Sequence, residues 1–348
     1  MIDIVTIGSA TVDVFVETED ARIVSVSTKD SSNEFMAYPY GSKMEIENFN
    51  TQIGGGGLNT AINFANLGFK TSAICKIGSD FPANLIKKTI SDKNVICDNV
   101  ICCDKTSTGF SIILTSFEGD RTVLAHRGAN ANIKLDDINF EAIKNAKWLY
   151  LAPLNGETNK ILDAVAQFAE ENNVNMAINL GTTSIKMNKN DLRKVLETAE
   201  IIIMNKEEVQ LLAQKQIRPD SKDIKYSQEF IHPDLKEMLI NLQKVSGKIV
   251  LITDGKCGVY ACDGKFIYKC PEFPAVVVST LGAGDAFAST FVASIEKFND
   301  VSKALEYASV NAASIVSHFG AQDGFLTFEE MEKRLNSEPD FCCEKVAI

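Results

Sequence analysis

The chain has 348 residues, 45% of them hydrophobic and 23% charged, enough apolar content for one large α/β core and too much for a disordered chain. Its formal net charge of -11 argues against nucleic acid or an anionic membrane as partner, because the long-range field repels both. No run approaches the roughly 20 apolar residues of a membrane span, Met1-Ile2-Asp3-Ile4 lacks a basic signal start, and the nine cysteines contain no Cys-x-x-Cys, so a reducing, cytoplasmic setting without zinc or disulfides is expected.

Taken in order, Ile4-Val5-Thr6-Ile7 reads as a short buried strand, and Asp13 beyond it as a substrate ligand or a solvated turn residue. The stretch 12–52 is rich in alternating β-branched and aromatic residues, as is 106–126 with its turn Glu118-Gly119-Asp120. Both are expected as antiparallel ribbons forming a small lid sheet inserted into a single domain spanning 1–348. Gly54-Gly55-Gly56-Gly57-Leu58-Asn59 precedes a helix that runs to Leu67-Gly68. Glycines there permit a ligand to approach the backbone at Gly55 and Gly57, and Asn59 offers donor and acceptor to sugar-like hydroxyls; a hinge with Asn59 as helix cap is the plainer reading.

From Thr71–Ile77 onward strands alternate with helices: Trp148–Leu151, an amphipathic run over 160–171, a strand over 174–178, then Ile201-Ile202-Ile203-Met204 before a helix over 207–213. A strand over 248–253 completes the rhythm, which predicts a mainly parallel sheet covered on both faces. Asn205-Lys206-Glu207-Glu208 sits at a strand end, where Asn205 and Glu208 have the spacing of a capping box. The polar stretch 214–230 lacks periodicity and reads as a surface excursion. Thr253-Asp254-Gly255-Lys256-Cys257-Gly258 follows a strand, where α/β sheets bind nucleotides, although Asp-Gly also makes ordinary turns. Finally, Ser279-Thr280-Leu281-Gly282-Ala283-Gly284-Asp285 opens a helical run. Small residues at a helix start let backbone N–H groups converge on an anion such as a phosphoryl group, and Asp285 beside them can accept a proton. The alternative is a tight turn with Asp285 complementing the helix dipole.

Together, Gly-Gly-x-Gly-x-Asn at 54–59, Asn-x-x-Glu at Asn205 and Glu208, Thr-x-Gly-x-x-Gly at 253–258 and Gly-Ala-Gly-Asp at 282–285 resemble the ribokinase-like (PfkB) family over nearly the whole chain. The resemblance implies a three-layer α/β/α sandwich with a β lid, and an ATP-dependent kinase using Mg²⁺ and acting on a small-molecule acceptor. It implies Asp13, Gly55, Gly57 and Asn59 as acceptor ligands, and Asn205 with residues 253–258 and Gly284 around ATP. It further implies Glu208 ordering Mg²⁺ indirectly, Gly282, Ala283 and Gly284 as the anion hole, and Asp285 as the catalytic base.

Two departures narrow the expectation. Ser279 stands where many members carry an aspartate of a monovalent-cation site, so a strong potassium requirement is not expected. The apolar Leu151-Ala152-Pro153-Leu154 stands where ribose-specific members carry a glutamate, which weighs against ribose. A nucleoside acceptor, stacked on Phe15, Phe35, Phe49 or Phe110, is the nearest alternative. A non-catalytic sugar or nucleotide sensor is the alternative of another class, and pairing of lid edges between two copies is a further expectation.

Overall fold

Apolar runs that do not alternate require strands buried on both faces, and Ile201-Ile202-Ile203-Met204 is fully buried in the strand Ile201–Asn205. The computed structural model describes residues 2–28, 32–115, 121–187, 192–214 and 230–348. Its large sheet is ten-stranded. The parallel part runs in the order Val100–Cys102, Thr71–Ile77, Ile4–Ile7, Trp148–Leu151, Asn175–Asn179, Ile201–Asn205 and Ile249–Thr253. Val259–Cys262, Phe266–Cys270 and Glu344–Ala347 extend it antiparallel. That antiparallel edge has no counterpart in the sequence reading.

Side chains alternate between two cores. Val5, Ile7, Leu149, Leu151, Ile202 and Met204 face the helices Leu162–Glu171, Arg193–Thr198 and Pro233–Ser246. Ile4, Tyr150, Ala152, Ile201 and Ile203 face Gly56–Asn66, Ala283–Phe298 and Val301–Val316. The result is a three-layer α/β/α sandwich. Among the described residues no helix is long and apolar enough to cross a membrane.

The small sheet has the order Asn48–Gly54, Thr11–Glu17, Gly109–Thr115, Arg121–His126, with a separate hairpin of Arg22–Ser27 and Ser32–Ala37. It departs from the expected antiparallel ribbons at its centre, where Thr11–Glu17 and Gly109–Thr115 run parallel. The reason lies in the main sheet. Ile4–Ile7 and Val100–Cys102 run parallel on either side of Thr71–Ile77, and the chain passes from the carboxyl end of each into the lid, so both lid strands enter from one side. The turn expected at Glu118-Gly119-Asp120 and nearly all of the polar excursion 214–230 lie outside the described residues.

A buried polar cluster fastens the helices that start at the site. Asn63 donates from Nδ2 to Ser289 Oγ at 2.8 Å and to Thr290 Oγ1 at 2.9 Å. Asn311 donates to Asn63 Oδ1 at 3.1 Å and to Thr290 Oγ1 at 2.7 Å, and its own carbonyl accepts from Leu326 N at 2.9 Å. Three helices are thereby held by groups that lose partners if any member is cut. Asn63→Ala should lower unfolding stability by about 2 kcal/mol or more, the cost of leaving buried donors and acceptors unpaired. Urea denaturation checks this; an unchanged midpoint would show that the cluster does not fasten the helices.

Candidate active site

The site forms where the first strand runs out against a helix start. An ideal Cβ on Gly57 would lie 2.6 Å from the Gly8 backbone, and one on Gly8 would lie 2.7 Å from Gly57 Cα, so the strand end and the helix start pass in direct backbone contact. Gly55 caps the Gly56–Asn66 helix with φ 96°, and Leu58 N donates to Ser9 O at 3.1 Å. Asn59 is not the cap considered from sequence. It lies one turn inside the helix and donates from Nδ2 to Asp285 Oδ2 at 2.9 Å. Gln322 Nε2 donates to Asn59 Oδ1 at 2.8 Å, which fixes the amide so that its NH₂ faces the carboxylate. The sequence offered no sign of Gln322, because its role arises from a contact 263 residues away.

Asp285 sits in the first turn of Ala283–Phe298, whose cap Gly282 is left-handed at φ 80°. A side chain there would also meet Ala321 backbone at 2.7 Å, so the chain must have glycine at 282 to turn into this helix. Gly284 faces open space, and the N–H groups of a first turn lack intrahelical partners. Burial pushes the Asp285 carboxyl above its ordinary value, and the Asn59 bond draws it partly back. Asp285 Oδ1 and Ala152 both border Gly56, since a Cβ there would lie 3.3 Å from the one and 3.4 Å from the other. The carboxylate is therefore in the neighbourhood of the chain that leaves Trp148–Leu151.

Asp13 lies beyond Ile4–Ile7, as expected, but within the lid strand Thr11–Glu17, so it is not a solvated turn residue. It is buried, its proton affinity raised by desolvation despite hydrogen bonds with the Ser111 and Thr11 side chains. Gly54 is bare beside it, where a Cβ would fall 2.0 Å from Asp13 Oδ2. The lid is tied to the far loop by Gln52, which donates to Phe319 O at 3.1 Å and Asp323 Oδ2 at 3.2 Å. Of the aromatic residues considered for a base slot, Phe15 packs on Phe319 with ring centroids 4.6 Å apart and Phe110 packs against the cluster that joins the lid to Thr71–Ile77 and its flanking helices. Phe35 and Phe49 are 54% and 66% exposed.

The second cluster sits at the carboxyl ends of two neighbouring parallel strands, where Asn205 pairs with Thr253. Asn205 and Glu208 form the full capping box: Asn205 Oδ1 accepts from Glu208 N at 2.8 Å and Glu208 Oε2 accepts from Asn205 N at 2.9 Å. Glu208 is buried, and desolvation raises its carboxyl above the usual range. Lys206 pairs with Asp254 at 2.9 Å. Gly255, Lys256 and Cys257 form an exposed single turn, closed by Gly258 against the Cys270 carbonyl. From Pro271 the chain runs through exposed Val276, Val277 and Val278 to Ser279, a ledge that the sequence reading overlooked. Ser279 is buried, with its Oγ accepting from Leu281 N at 3.3 Å. Ser309 packs against Cys270, and Asn311 belongs to the helix-fastening cluster.

Comparison with known proteins follows the same outline. The profile of the pfkB family carbohydrate kinases matches residues 1–327. A 5-dehydro-2-deoxygluconokinase of Clostridium perfringens is 27% identical over 324 residues, covering 87% of this chain and 89% of the relative. A ribokinase of Staphylococcus aureus is 26% identical over 297 residues, covering 84% and 91%. Among solved structures, Arabidopsis thaliana ribokinase complexed with ribose and ATP superposes with a TM-score of 0.77 at 22% identity, covering 96% of this chain and 99% of its own. A nucleoside kinase of Methanocaldococcus jannaschii gives 0.73 at 17%, covering 97% and 99%. At those identities the structural likeness establishes the fold.

The raised proton affinity of Asp285 has a consequence for stability. A carboxyl whose folded pKa exceeds its unfolded one favours the native state below the unfolded value and loses that contribution as pH rises through the folded value. At pH 7 the ionised Asp285 is therefore a cost. Asp285→Asn should keep the fold and raise the thermal midpoint at pH 7, and the gain should shrink toward zero as pH falls below about 4, the ordinary aspartate value. Calorimetry across pH 3 to 8 measures it; an equal gain at every pH would remove desolvation as the cause.

Proposed function

Because this chain belongs to the pfkB family of carbohydrate kinases, phosphotransferases that act on hydroxyl groups, we propose that it moves the γ-phosphoryl group of ATP to a hydroxyl of a small sugar-like acceptor. The observation that carries this reading is the Asp285 carboxylate, desolvated and held by Asn59 at the glycine-capped start of the Ala283–Phe298 helix. A sensor would need the N–H cradle but has no need of a desolvated carboxylate beside it, which supports proton transfer.

In this mechanism the acceptor lies between Asp13 on the lid and Asn59 on the helix. Asp285 takes the proton of the attacking hydroxyl as its oxygen bonds to the γ-phosphorus and the bond to the β-phosphate oxygen breaks, releasing ADP. The N–H groups of Gly282, Ala283 and Gly284 bind the negative charge on the transferring oxygens. Backbone at Gly55 and Gly57 lines the acceptor side. The nucleotide lies along Asn205 and the Thr253–Gly258 loop, with Val276 to Val278 as an apolar ledge for its base.

Among the described residues no group of three or more His, Cys, Asp or Glu side chains is gathered for a metal. Glu208 nevertheless fits a role toward Mg²⁺: it is a buried hard-oxygen donor without a cationic partner among the groups that shift it, which suits an ion that arrives on the nucleotide and keeps its waters. When bound, Mg²⁺ would neutralise phosphate charge. Ser279 contributes no charge to a monovalent-cation site, which supports weak or absent potassium stimulation. The lid exposes Val24, Val26, Phe35, Phe49, Val123 and Leu124, an apolar surface that supports pairing of two copies through it.

A coupled assay of ADP release, run with ATP and Mg²⁺ against sugars, phosphosugars and nucleosides, tests the proposal. Saturable turnover with a sugar-like acceptor is expected, Asp285→Asn should lower kcat by roughly 10²- to 10⁴-fold, and Asp13→Ala should raise acceptor KM while sparing that of ATP. Binding without turnover for every compound would favour the sensor, and turnover confined to nucleosides would reassign the acceptor. Glu208→Gln retains the cap but not the charge. It should raise the Mg²⁺ concentration needed for half-maximal rate by about tenfold, with little change in thermal midpoint; an unaltered Mg²⁺ dependence would leave Glu208 as a cap alone.

A further inference from the structure

Beneath Asp285 the structure holds a donor without an acceptor. Tyr150, on Trp148–Leu151, is completely buried, with its ring edge-on to Phe64 at 5.5 Å between centroids. Its hydroxyl meets no hydrogen-bond partner among the described residues. A fully buried unpaired hydroxyl costs about 1–3 kcal/mol and is uncommon in native proteins. Tyr150 and Ala152, the latter just past the strand end, project to the same face of the sheet, and Ala152 and the Asp285 carboxylate both border Gly56. The phenol therefore lies two residues from a side chain that shares this neighbour with the proposed base.

Two polar groups act on this hydroxyl. The Asp285 charge raises the phenol's proton affinity, adding to the larger effect of burial, and the Asn179 side chain opposes them slightly without closing a hydrogen bond of normal geometry. The phenol is thus a committed donor, never a phenolate at physiological pH. Asp285 has a carboxylate with lone pairs to spare, since among the described residues its side-chain bond is the single one from Asn59. A water placed among the three would find the three polar partners that a buried water typically needs.

We propose that Tyr150 is a positioning residue for Asp285, donating through one buried water, which Asn179 also holds, to the carboxylate. Its effect on catalysis rests on Asp285 serving as the base. A donor aimed at the charged form keeps the desolvated carboxylate ionised at working pH and fixes which oxygen remains for the acceptor. The surroundings leave few rivals for this task. The Gly56–Asn66 helix presents neutral Asn59, and the 319–324 loop reaches Asp285 only through Gln322 and Asn59. The strand Asn175–Asn179 presents neutral Asn179. Within its own helix Asp285 is the acidic residue of the first turn, and the basic residue of the last turn is Lys297, at the far end. Asp13 and Glu208, the buried carboxylates of the site, are not among the groups that shift it.

Tyr150→Phe removes the hydroxyl and nothing else. In kcat/KM against pH, the acid limb should move upward by about one unit, the scale of one donor lost from a carboxylate. At pH values below the limb this reads as roughly tenfold lower activity, with the KM for ATP unchanged. An independent measurement needs no turnover: thermal midpoints at pH 7 of wild type, Tyr150→Phe, Asp285→Asn and the double variant. Tyr150→Phe should destabilise the wild type and do so less in the Asp285→Asn background. An unmoved acid limb, or an equal stabilisation by Tyr150→Phe in both backgrounds, would show an orphan hydroxyl with no link to Asp285 and overturn the proposal. If instead no acceptor is turned over, or Asp285→Asn keeps full activity, the base assignment fails, and the stability cycle alone still decides whether Tyr150 and Asp285 are coupled.

Discussion

A half-buried, partly desolvated carboxylate, held by one hydrogen bond from the Asn59 amide, is the constraint from which the arrangement follows. Desolvation of Asp285 raises its proton affinity, and such a charge persists only where the surrounding structure holds it. The hold comes from the second glycine-started helix, through Asn59. For the two helix starts to come so close, the chain has glycine at 8, 56, 57 and 282, where side chains would meet backbone or Asp285 itself. One turn further in, Asn63, Ser289, Thr290 and Asn311 bind the same helices together. The proposed chemistry and the packing therefore share one geometry.

How much of this was legible follows from the range of the forces involved. Backbone demands are local, so the glycine clusters announced both helix starts before any fold was known. Double-sided burial is also local, and runs such as Ile201-Ile202-Ile203-Met204 gave the parallel strands to within a residue or so of Ile201–Asn205. The parallel pairing inside the lid was not legible, because it depends on where the chain leaves the large sheet. The antiparallel edge through Glu344–Ala347 was missed for a related reason: an exposed four-residue strand has neither length nor periodicity to betray it.

Site residues divide in the same way. Asp285 and Asn59 carried motif spacing, yet their direct bond spans 226 residues of sequence and could only be seen in three dimensions. Gln322 and Tyr150 carried no signal. Tyr150 sits in Trp148-Leu149-Tyr150-Leu151, which reads as plain core, and its polarity matters only because Asp285 and Asn179 stand close by. For Asn205 and Glu208 the capping reading is realised in full. The carboxylate accepts backbone hydrogen bonds at Asn205, through Oε2, and at Thr182, so metal ordering would use the lone pairs these leave over.

Asp13, Glu208 and Asp285 share one further property: burial raises the proton affinity of each. In a chain with net charge -11, three desolvated carboxylates near a site for a polyphosphate look self-defeating. The resolution is that each faces a different part of the proposed reaction. Asp13 meets acceptor hydroxyls, which donate to it; Glu208 meets a cation delivered with the nucleotide; Asp285 meets the one proton that must leave. The phosphate charge itself is left to backbone N–H groups at the start of the Ala283–Phe298 helix, whose dipoles need no counter-ion and do not move during the reaction. In the proposed reaction ligand binding would thus supply what folding withholds, and relieve the electrostatic strain that the free protein carries.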